Sequence, residues 1–353
     1  VERSAELPIS PGPRVVINAR AAARPWLGGV ERWTRELAAR LPVLRPGAYV
    51  VARPPRGFAS RTGHAWEQIV LPAYAAARRA DLLLAPAGLA PLAWPRTVAI
   101  IHDAAALRHP EWYGRSFVAS QRILQPRVAR RALRVVTPSQ FSADEIVAAL
   151  ELDPASVTVV PGGVGEQLRP DADADGARSA LGLSRPYVLT LGADHTRKNR
   201  RALGPVASAL AEEGVDVVAA GGGRAHMRGG GANGIHTLGH VDDAVLPGLY
   251  AGALAFVFPS HHEGFGLPCL EAMASGVPVV AANRGALPET CGDAALLVDP
   301  DDRDALVAAV RRAAFDTGDR ARLRASGLAR AAAYSWEATA QAIDDLLVDV
   351  ASL

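Results

Sequence analysis

Short apolar runs rich in β-branched residues alternate along this chain with stretches whose hydrophobic positions recur every three to four residues. That alternation predicts parallel sheets with crossover helices, an α/β class. In the first half the runs "RVVINA", "TVAIIHD", "RVVTPS" and "VTVVPGG" predict strands, and in the second half "YVLTLG", "VDVVAAGG", "LAFVFPS" and "VPVVAAN" do the same. Between them lie helical patterns such as "GVERWTRELAARL" and "SADEIVAALEL". Each half therefore reads as its own doubly wound sheet. The polar, acidic stretch "GVGEQLRPDADADGARSALGL" marks the break, so domains are expected at 1–167 and 168–335. The tail after Ser335 reads as an amphipathic helix with a serine cap. No repeat of solenoid period is present.

A chain of 353 residues has room for two such domains, and 49% hydrophobic with 21% charged residues is globular composition. The uncharged run "LLLAPAGLAPLAWP" is too short to span a bilayer and holds three prolines. The opening "VERSAELPISPGPRVV" carries acids and prolines and no early apolar core, so no signal peptide is expected. Cys269 and Cys291 give neither a disulfide framework nor metal spacing. The expectation is a cytoplasmic protein.

Charge is unevenly placed. Residues 1–165 carry 21 basic and 12 acidic side chains, a net +9, whereas 166–353 carry 17 and 24, a net −7. Much of the excess sits in the helical pattern that holds Arg115, Arg122, Arg127, Arg130, Arg131 and Arg134. Nucleic acid, an anionic membrane surface, a phosphorylated acceptor or plain solvation of an arginine-rich face all fit it. A sharper asymmetry lies in one residue. Of the 38 basic side chains 37 are arginine, and the only lysine is Lys198. Its compact ammonium suits a phosphate site.

Doubly wound sheets bind ligands beyond the carboxyl ends of their strands, which selects the loops to inspect. The strongest is "SHHEGFGLPCLEAMASG", in which Glu263 and Glu271 flank a Gly-Phe-Gly-Leu-Pro turn. Pro268 suits a helix start and Gly276 a helix end, which puts Glu271 in the first turn. Backbone N–H groups bared by glycine at a helix start suit a phosphate, and carboxylates suit hydroxyls, so the loop fits a ligand with phosphate and sugar together. Arg197 and Lys198 follow "YVLTLG", where they would neutralise a diphosphate. His102 and Asp103 end a strand as a sugar contact or acid/base pair. Gly28 and Gly29 open a helix. Two metal readings fail: "DADADG" lacks the glutamate a calcium loop needs at its twelfth position, and His236 and His240 lie in a strand-and-turn pattern without a third ligand. The run "GGGRAHMRGGG" lacks dinucleotide spacing and reads as a loop.

Taken together, "GGVERW", "IHDAAALRHPEW", "TPSQFSADEI", "VVPGGV", "RKN" and "EGFGLPCLEAMASGVPVVAANRGALPE" resemble the retaining glycosyltransferases of family four, nearest in style to bacterial mannosyl- and rhamnosyltransferases. The resemblance runs through nearly the whole chain. It implies a GT-B fold, with two Rossmann-like doubly wound domains facing a central cleft. The first, 1–167, would bind acceptor, the second, 168–335, nucleotide sugar, and helix 336–353 would pack back on the first. It implies transfer of a mannose- or rhamnose-like hexose or deoxyhexose from a nucleotide-diphosphate sugar to a saccharide, lipid-linked or natural-product acceptor, without metal or other cofactor and without nucleic acid. A role at cell-surface polysaccharide follows from it, and the basic charge of the first domain adds an expected contact with anionic membrane.

Residue by residue, the resemblance gives Glu271 the ribose and Glu263 the donor sugar hydroxyls. The backbone of Gly264, Phe265, Gly266 and Leu267 would meet sugar and phosphates, Lys198 the diphosphate, and His102 the sugar near its anomeric carbon. Gly29 would approach the phosphates, Val241 the donor, and Asp103, Trp112 and Tyr113 the acceptor. One departure stands out: Ala193 occupies a position where many members carry arginine, which leaves Arg197 as the substitute. The competing readings are a nucleotide-sugar-binding protein without turnover and a GT-B sugar-nucleotide epimerase.

Overall fold

The computed structural model describes residues 12–24, 28–55, 58, 63–222 and 234–353, which leaves most of the glycine-rich run after Gly221 outside the described residues. The chain divides into two compact units. One comprises 1–104, 119–162 and 336–353, the other 105–118 and 163–335.

The first unit is built on a six-stranded parallel sheet. Its strands are β1 (Val15–Asn18), β2 (Tyr49–Ala52), β3 (Leu82–Ala85), β4 (Thr97–Ile100), β5 (Arg134–Thr137) and β6 (Val157–Val159), in the order β2-β1-β3-β4-β5-β6. The second unit repeats the plan with β7 (Tyr187–Leu191), β8 (Asp216–Ala220), β9 (Ile235–Gly239), β10 (Ala255–Phe258), β11 (Val279–Ala282) and β12 (Ala295–Val298), in the order β12-β11-β10-β7-β8-β9. Every residue of β1, β3, β4, β10 and β11 is buried, because helices cover both faces and an uninterrupted apolar run is what such a strand needs. The edge strands β6 and β9 have no buried residue and accordingly carry threonine and histidine.

Strand order decides where ligands can bind. In the first sheet the winding reverses between β1 and β3, and in the second between β7 and β10. At such a reversal the connections leave to opposite faces and open a crevice beyond the carboxyl ends.

All eight strands read from the sequence are present. The run "LLLAPAG", noted in the sequence for its lack of charge, is the central strand β3 and the turn after it. The polar break is partly helical, since Asp173 caps the helix Ala174–Ala180 by accepting the Gly176 N–H at 2.8 Å. The unit boundary falls at Gly162 and Gly163, before the position 167 expected from composition. Segment 105–118 also groups with the second unit, where Ala105, Tyr113 and Val118 are buried together.

The C-terminal helix Trp336–Ala351 belongs to the first unit. It buries Trp336, Ile343 and Leu347. Trp336 meets Trp33 edge-on at 5.4 Å, Thr339 donates to the Pro161 carbonyl at 2.9 Å, and Asp344 accepts from Arg45 Nε at 2.8 Å. Among the described residues no helix is long and apolar enough to cross a membrane.

Candidate functional site

In the second unit, the loops that leave β7 and β10 at the winding reversal bring Arg197, Lys198 and Glu263 together. A one-turn 3-10 helix, Thr196–Lys198, carries both cations, and the His195 Nδ1 caps it by accepting the Arg197 N–H at 3.1 Å. Asn199 then takes a left-handed backbone (φ 49°) that turns the chain away. Lys198 Nζ donates to Glu263 Oε1 at 2.7 Å, and Arg197 Nη1 donates to the His262 carbonyl at 2.9 Å and to Glu263 Oε2 at 3.3 Å. The ammonium also lies 4.4 Å from the centre of the Phe258 ring, on the last residue of β10.

Two cations thus share one carboxylate. Burial alone would raise the Glu263 pKa, but Arg197 and Lys198 outweigh it and hold the group down to about 2. Lys198 is also shifted below its ordinary range, because burial disfavours its charge, Glu263 compensates in part, and Arg197 repels it. The two shifts are consistent, since the carboxylate collects two attractions while the lysine has half a partner. The cluster carries a net positive charge at the carboxyl end of a sheet.

Glycines make this geometry possible. A Cβ on Gly192 would stand 3.2 Å from Lys198 Cε, and one on Gly285, which has φ +61°, would lie 2.8 Å from both the nitrogen and the oxygen of Glu263. Gly285 therefore lets the turn after β11 press against the Glu263 backbone, and the Ala286 N–H donates to the Glu263 carbonyl at 3.0 Å. Arg200, which is 5% exposed, donates through Nη2 to the carbonyls of Gly192, Gly221 and Ala220 at 2.6, 3.0 and 3.3 Å, tying together the ends of β7 and β8. Arginine at this position is committed to backbone. Arg197 is the residue that joins lysine at the carboxylate.

The helix after the glycine turn runs from Leu267 to Ala274 with Gly266 as its N-cap in the left-handed region, φ +98°. Pro268 is its second residue and Gly276 ends it with φ +71°. Glu271 stands in the second turn, not the first as the proline position had suggested, because the helix starts one residue earlier at Leu267. It is 3% exposed and its Oε2 accepts the Tyr250 hydroxyl at 2.8 Å. Phe265 packs edge-on against Tyr334 at 5.8 Å, and Val241 is buried after β9.

Segment 105–118 brings aromatic groups to the same unit. His109 stacks on Trp112 at 4.1 Å, and the His262 ring meets them edge-on at 5.7 and 6.2 Å. Tyr113 is buried edge-on against His195 at 5.5 Å. Trp112 therefore lies beside the residue preceding Glu263, whereas Tyr113 packs behind the turn that holds Lys198.

In the first unit, His102 follows β4. Its Nε2 lies 2.8 Å from the Pro86 carbonyl, an acceptor only, so Nε2 carries the proton and Nδ1 the lone pair. Trp33 packs edge-on against the ring at 5.4 Å, and Ser142 Oγ donates to the His102 carbonyl at 3.1 Å. Dense surrounding protein lowers the imidazole pKa and keeps it neutral, although the ring keeps partial contact with solvent. Asp103, next in the chain, is half-buried. Gly29 begins the helix Gly29–Leu44, and a Cβ there would meet nothing within 4 Å, so packing does not demand glycine. Glu31 is fully buried and accepts the Gly28 N–H at 3.1 Å and Arg24 Nη1 at 2.8 Å.

Gly285, Arg200, Tyr250 and Glu31 were not singled out from sequence. The signals are faint: an Asn-Arg-Gly turn after a strand, an arginine directly after an asparagine, a tyrosine in an apolar helix, and a glutamate three residues beyond a helix cap.

Comparison with known proteins fits this arrangement. Residues 42–168 match the profile of Glycosyltransferase Family 4, and residues 185–316 that of Glycosyl transferases group 1. O-antigen chain mannosyltransferase B of Escherichia coli is 52% identical over 103 residues, 29% of this chain and 27% of that protein. The MMP alpha-(1->4)-mannosyltransferase of Mycolicibacterium hassiacum is 32% identical over 250 residues, 65% of this chain and 56% of that protein. The chain thus spans between about a quarter and somewhat over half the length of these curated relatives. Among solved structures, sucrose-phosphate synthase from Thermosynechococcus elongatus superposes with a TM-score of 0.76 at 20% identity over 97% of this chain and 99% of that one. Anabaena Alr3699/HepE, in its complex with UDP-glucose, does so with 0.72 at 18% identity over 96% and 100%. These likenesses give the fold as GT-B. The chain thus carries two glycosyltransferase regions, one of Glycosyltransferase Family 4 in its first half and one of Glycosyl transferases group 1 in its second.

Proposed function

We propose that this chain transfers a mannose- or rhamnose-like sugar from a nucleotide-diphosphate donor to an acceptor hydroxyl, with retention of configuration and without a metal ion. One observation carries the reading: Lys198 and Arg197 converge on Glu263 at the winding reversal of the second sheet, beside a glycine-led helix start. Lys198, Arg197 and the N–H groups of Gly264 to Leu267 supply positive potential where a diphosphate would leave. In this reading Glu263 receives donor sugar hydroxyls, Glu271 the ribose hydroxyls and Val241 the rest of the donor.

The first unit serves the acceptor side in this reading, with His102 at the transferred sugar, Asp103 toward the acceptor and the Gly29 backbone toward phosphate. His102 presents a neutral Nδ1 lone pair, which suits a sugar hydroxyl donor. Trp112 contributes an aromatic face, on which sugar rings stack. Tyr113, being buried, acts through the turn behind it.

The relatives support a mannose-like donor by what they are named for, a mannosyltransferase of O-antigen chains and one of MMP. A saccharide or lipid-linked acceptor at the inner membrane face follows in the same reading. The arginines of helix Arg115–Arg131, with Ile123 53% exposed among them, support contact with anionic lipid.

The test is a melting-temperature panel of UDP-, GDP-, ADP- and TDP-sugars, followed by product analysis with the stabilising donor. Stabilisation plus acceptor-dependent release of nucleoside diphosphate is the expected result. Binding without turnover would favour a non-catalytic protein, and free nucleotide with an altered free sugar would favour an epimerase.

A further inference from the structure

We propose that Tyr250 is the positioning residue that aims the Glu271 carboxylate, and that the Tyr250–Glu271 pair makes the site selective for ribonucleotides. The inference rests on the ribose role given to Glu271 above. Tyr250 is fully buried in the short helix Leu246–Ala251, and its hydroxyl donates to Glu271 Oε2 at 2.8 Å. A buried carboxylate with one oxygen held by a fixed donor has its remaining acceptor directions set by that bond.

The donor is fixed from two sides. Tyr187, on β7, donates its hydroxyl to the carbonyl of Leu249 at 2.7 Å, which pins the turn of helix that carries Tyr250. That helix lies close to β7, since a Cβ on Gly252 would come within 2.7 Å of the same Tyr187 hydroxyl. The Tyr250 ring then leans on Phe256 at 5.6 Å, and Phe256 stacks on Phe258 at 5.7 Å. Phe256 and Phe258 are two apart on β10 and share one face, and the Phe258 ring bears the Lys198 ammonium. One ladder of rings therefore runs from the Glu271 partner to the diphosphate-side lysine.

Phenylalanine at 250 keeps the ladder and deletes only the hydroxyl. The experiment titrates UDP, GDP and ADP, and their 2′,3′-dideoxy counterparts, into the full chain by calorimetry, for the wild type, Tyr250→Phe and Glu271→Gln. The wild type is expected to bind one ribonucleotide about tenfold or more better than its dideoxy counterpart, the scale of a hydrogen bond to a charged group. Tyr250→Phe should lower that ratio to about threefold or less, with the dideoxy affinity nearly unchanged; a tyrosine that only packs would shift both affinities together and leave the ratio alone. If Glu271→Gln loses the ratio while Tyr250→Phe keeps it, the positioning role is wrong and the ribose role stands. If Glu271→Gln keeps the ratio, or no nucleotide binds, the ribose role itself fails and takes this inference with it. Should Tyr250→Phe not fold, 3-fluorotyrosine at position 250, a stronger donor of the same shape, is read instead: a ratio above the wild type supports the role and an unchanged one overturns it.

Discussion

Replacing Lys198 by alanine tests the charge cluster most directly. The ammonium stands 2.7 Å from a Glu263 oxygen and its side chain is 13% exposed, so it acts in a medium far less polar than water. Two unit charges about 4 Å apart at an effective dielectric of about 20 interact by about 4 kcal/mol. If that attraction is realised with the departing diphosphate, its loss slows transfer by about three orders of magnitude. The fold should survive, because Arg197 remains 3.3 Å from Glu263 and the buried carboxylate keeps a cation. Lys198→Arg restores charge, but Gly192 leaves its channel narrow, and an intermediate rate about tenfold to a hundredfold below wild type is expected. The assay is nucleoside diphosphate release at saturating donor, with circular-dichroism melting to show that each variant is folded. A folded Lys198→Ala protein whose turnover lies within about tenfold of wild type would refute the reasoning.

Three further outcomes are expected. Gly285→Ala forces a methyl against the Glu263 backbone at φ +61°, so it should destabilise by about 1–3 kcal/mol and lower activity together, measured by urea unfolding and turnover; wild-type values for both would show that the turn can relax. Gly29→Ala meets no protein atom, so melting should be unchanged or slightly higher while donor KM rises about tenfold or more, and an unchanged KM would remove Gly29 from the donor's path. Glu263 has a depressed pKa of about 2 against an ordinary 4.5, so its stabilisation is complete above pH 4.5 and lost as pH falls through 2. Between those limits it contributes up to about 1.4 kcal/mol per pH unit to the slope of unfolding free energy, which Glu263→Gln should remove; parallel slopes in the two proteins would contradict the pairing.

Much of the architecture could be read directly from the residues. The buried strands announce themselves because a strand covered on both faces must be continuously apolar, as in "RVVINA" and "LAFVFPS". β2 and β3 were harder: "LLLA" looks the same in a strand, a buried helix or a failed membrane span. The capped helices were legible where a short polar side chain bonds its own backbone, as Ser139 does with the Ser142 N–H at 3.0 Å. Lys198 and the two glutamates stood out by type and position alone.

What the sequence settled by itself was local: most of the buried strands, the capped helix starts, the glycine turn and the singular lysine, because each depends on neighbours a few residues away. What only the tertiary structure decided was convergence. Arg197 reaches the His262 carbonyl and Glu263 across 65 and 66 positions, and Tyr250 reaches Glu271 across 21. Gly285 matters because another strand's loop presses against it, and segment 105–118 groups with the second unit, where Tyr113 is buried against His195. Such contacts follow from strand order, which fixes the loops that share a crevice, and strand order is a property of the whole folded sheet that no stretch of residues encodes alone.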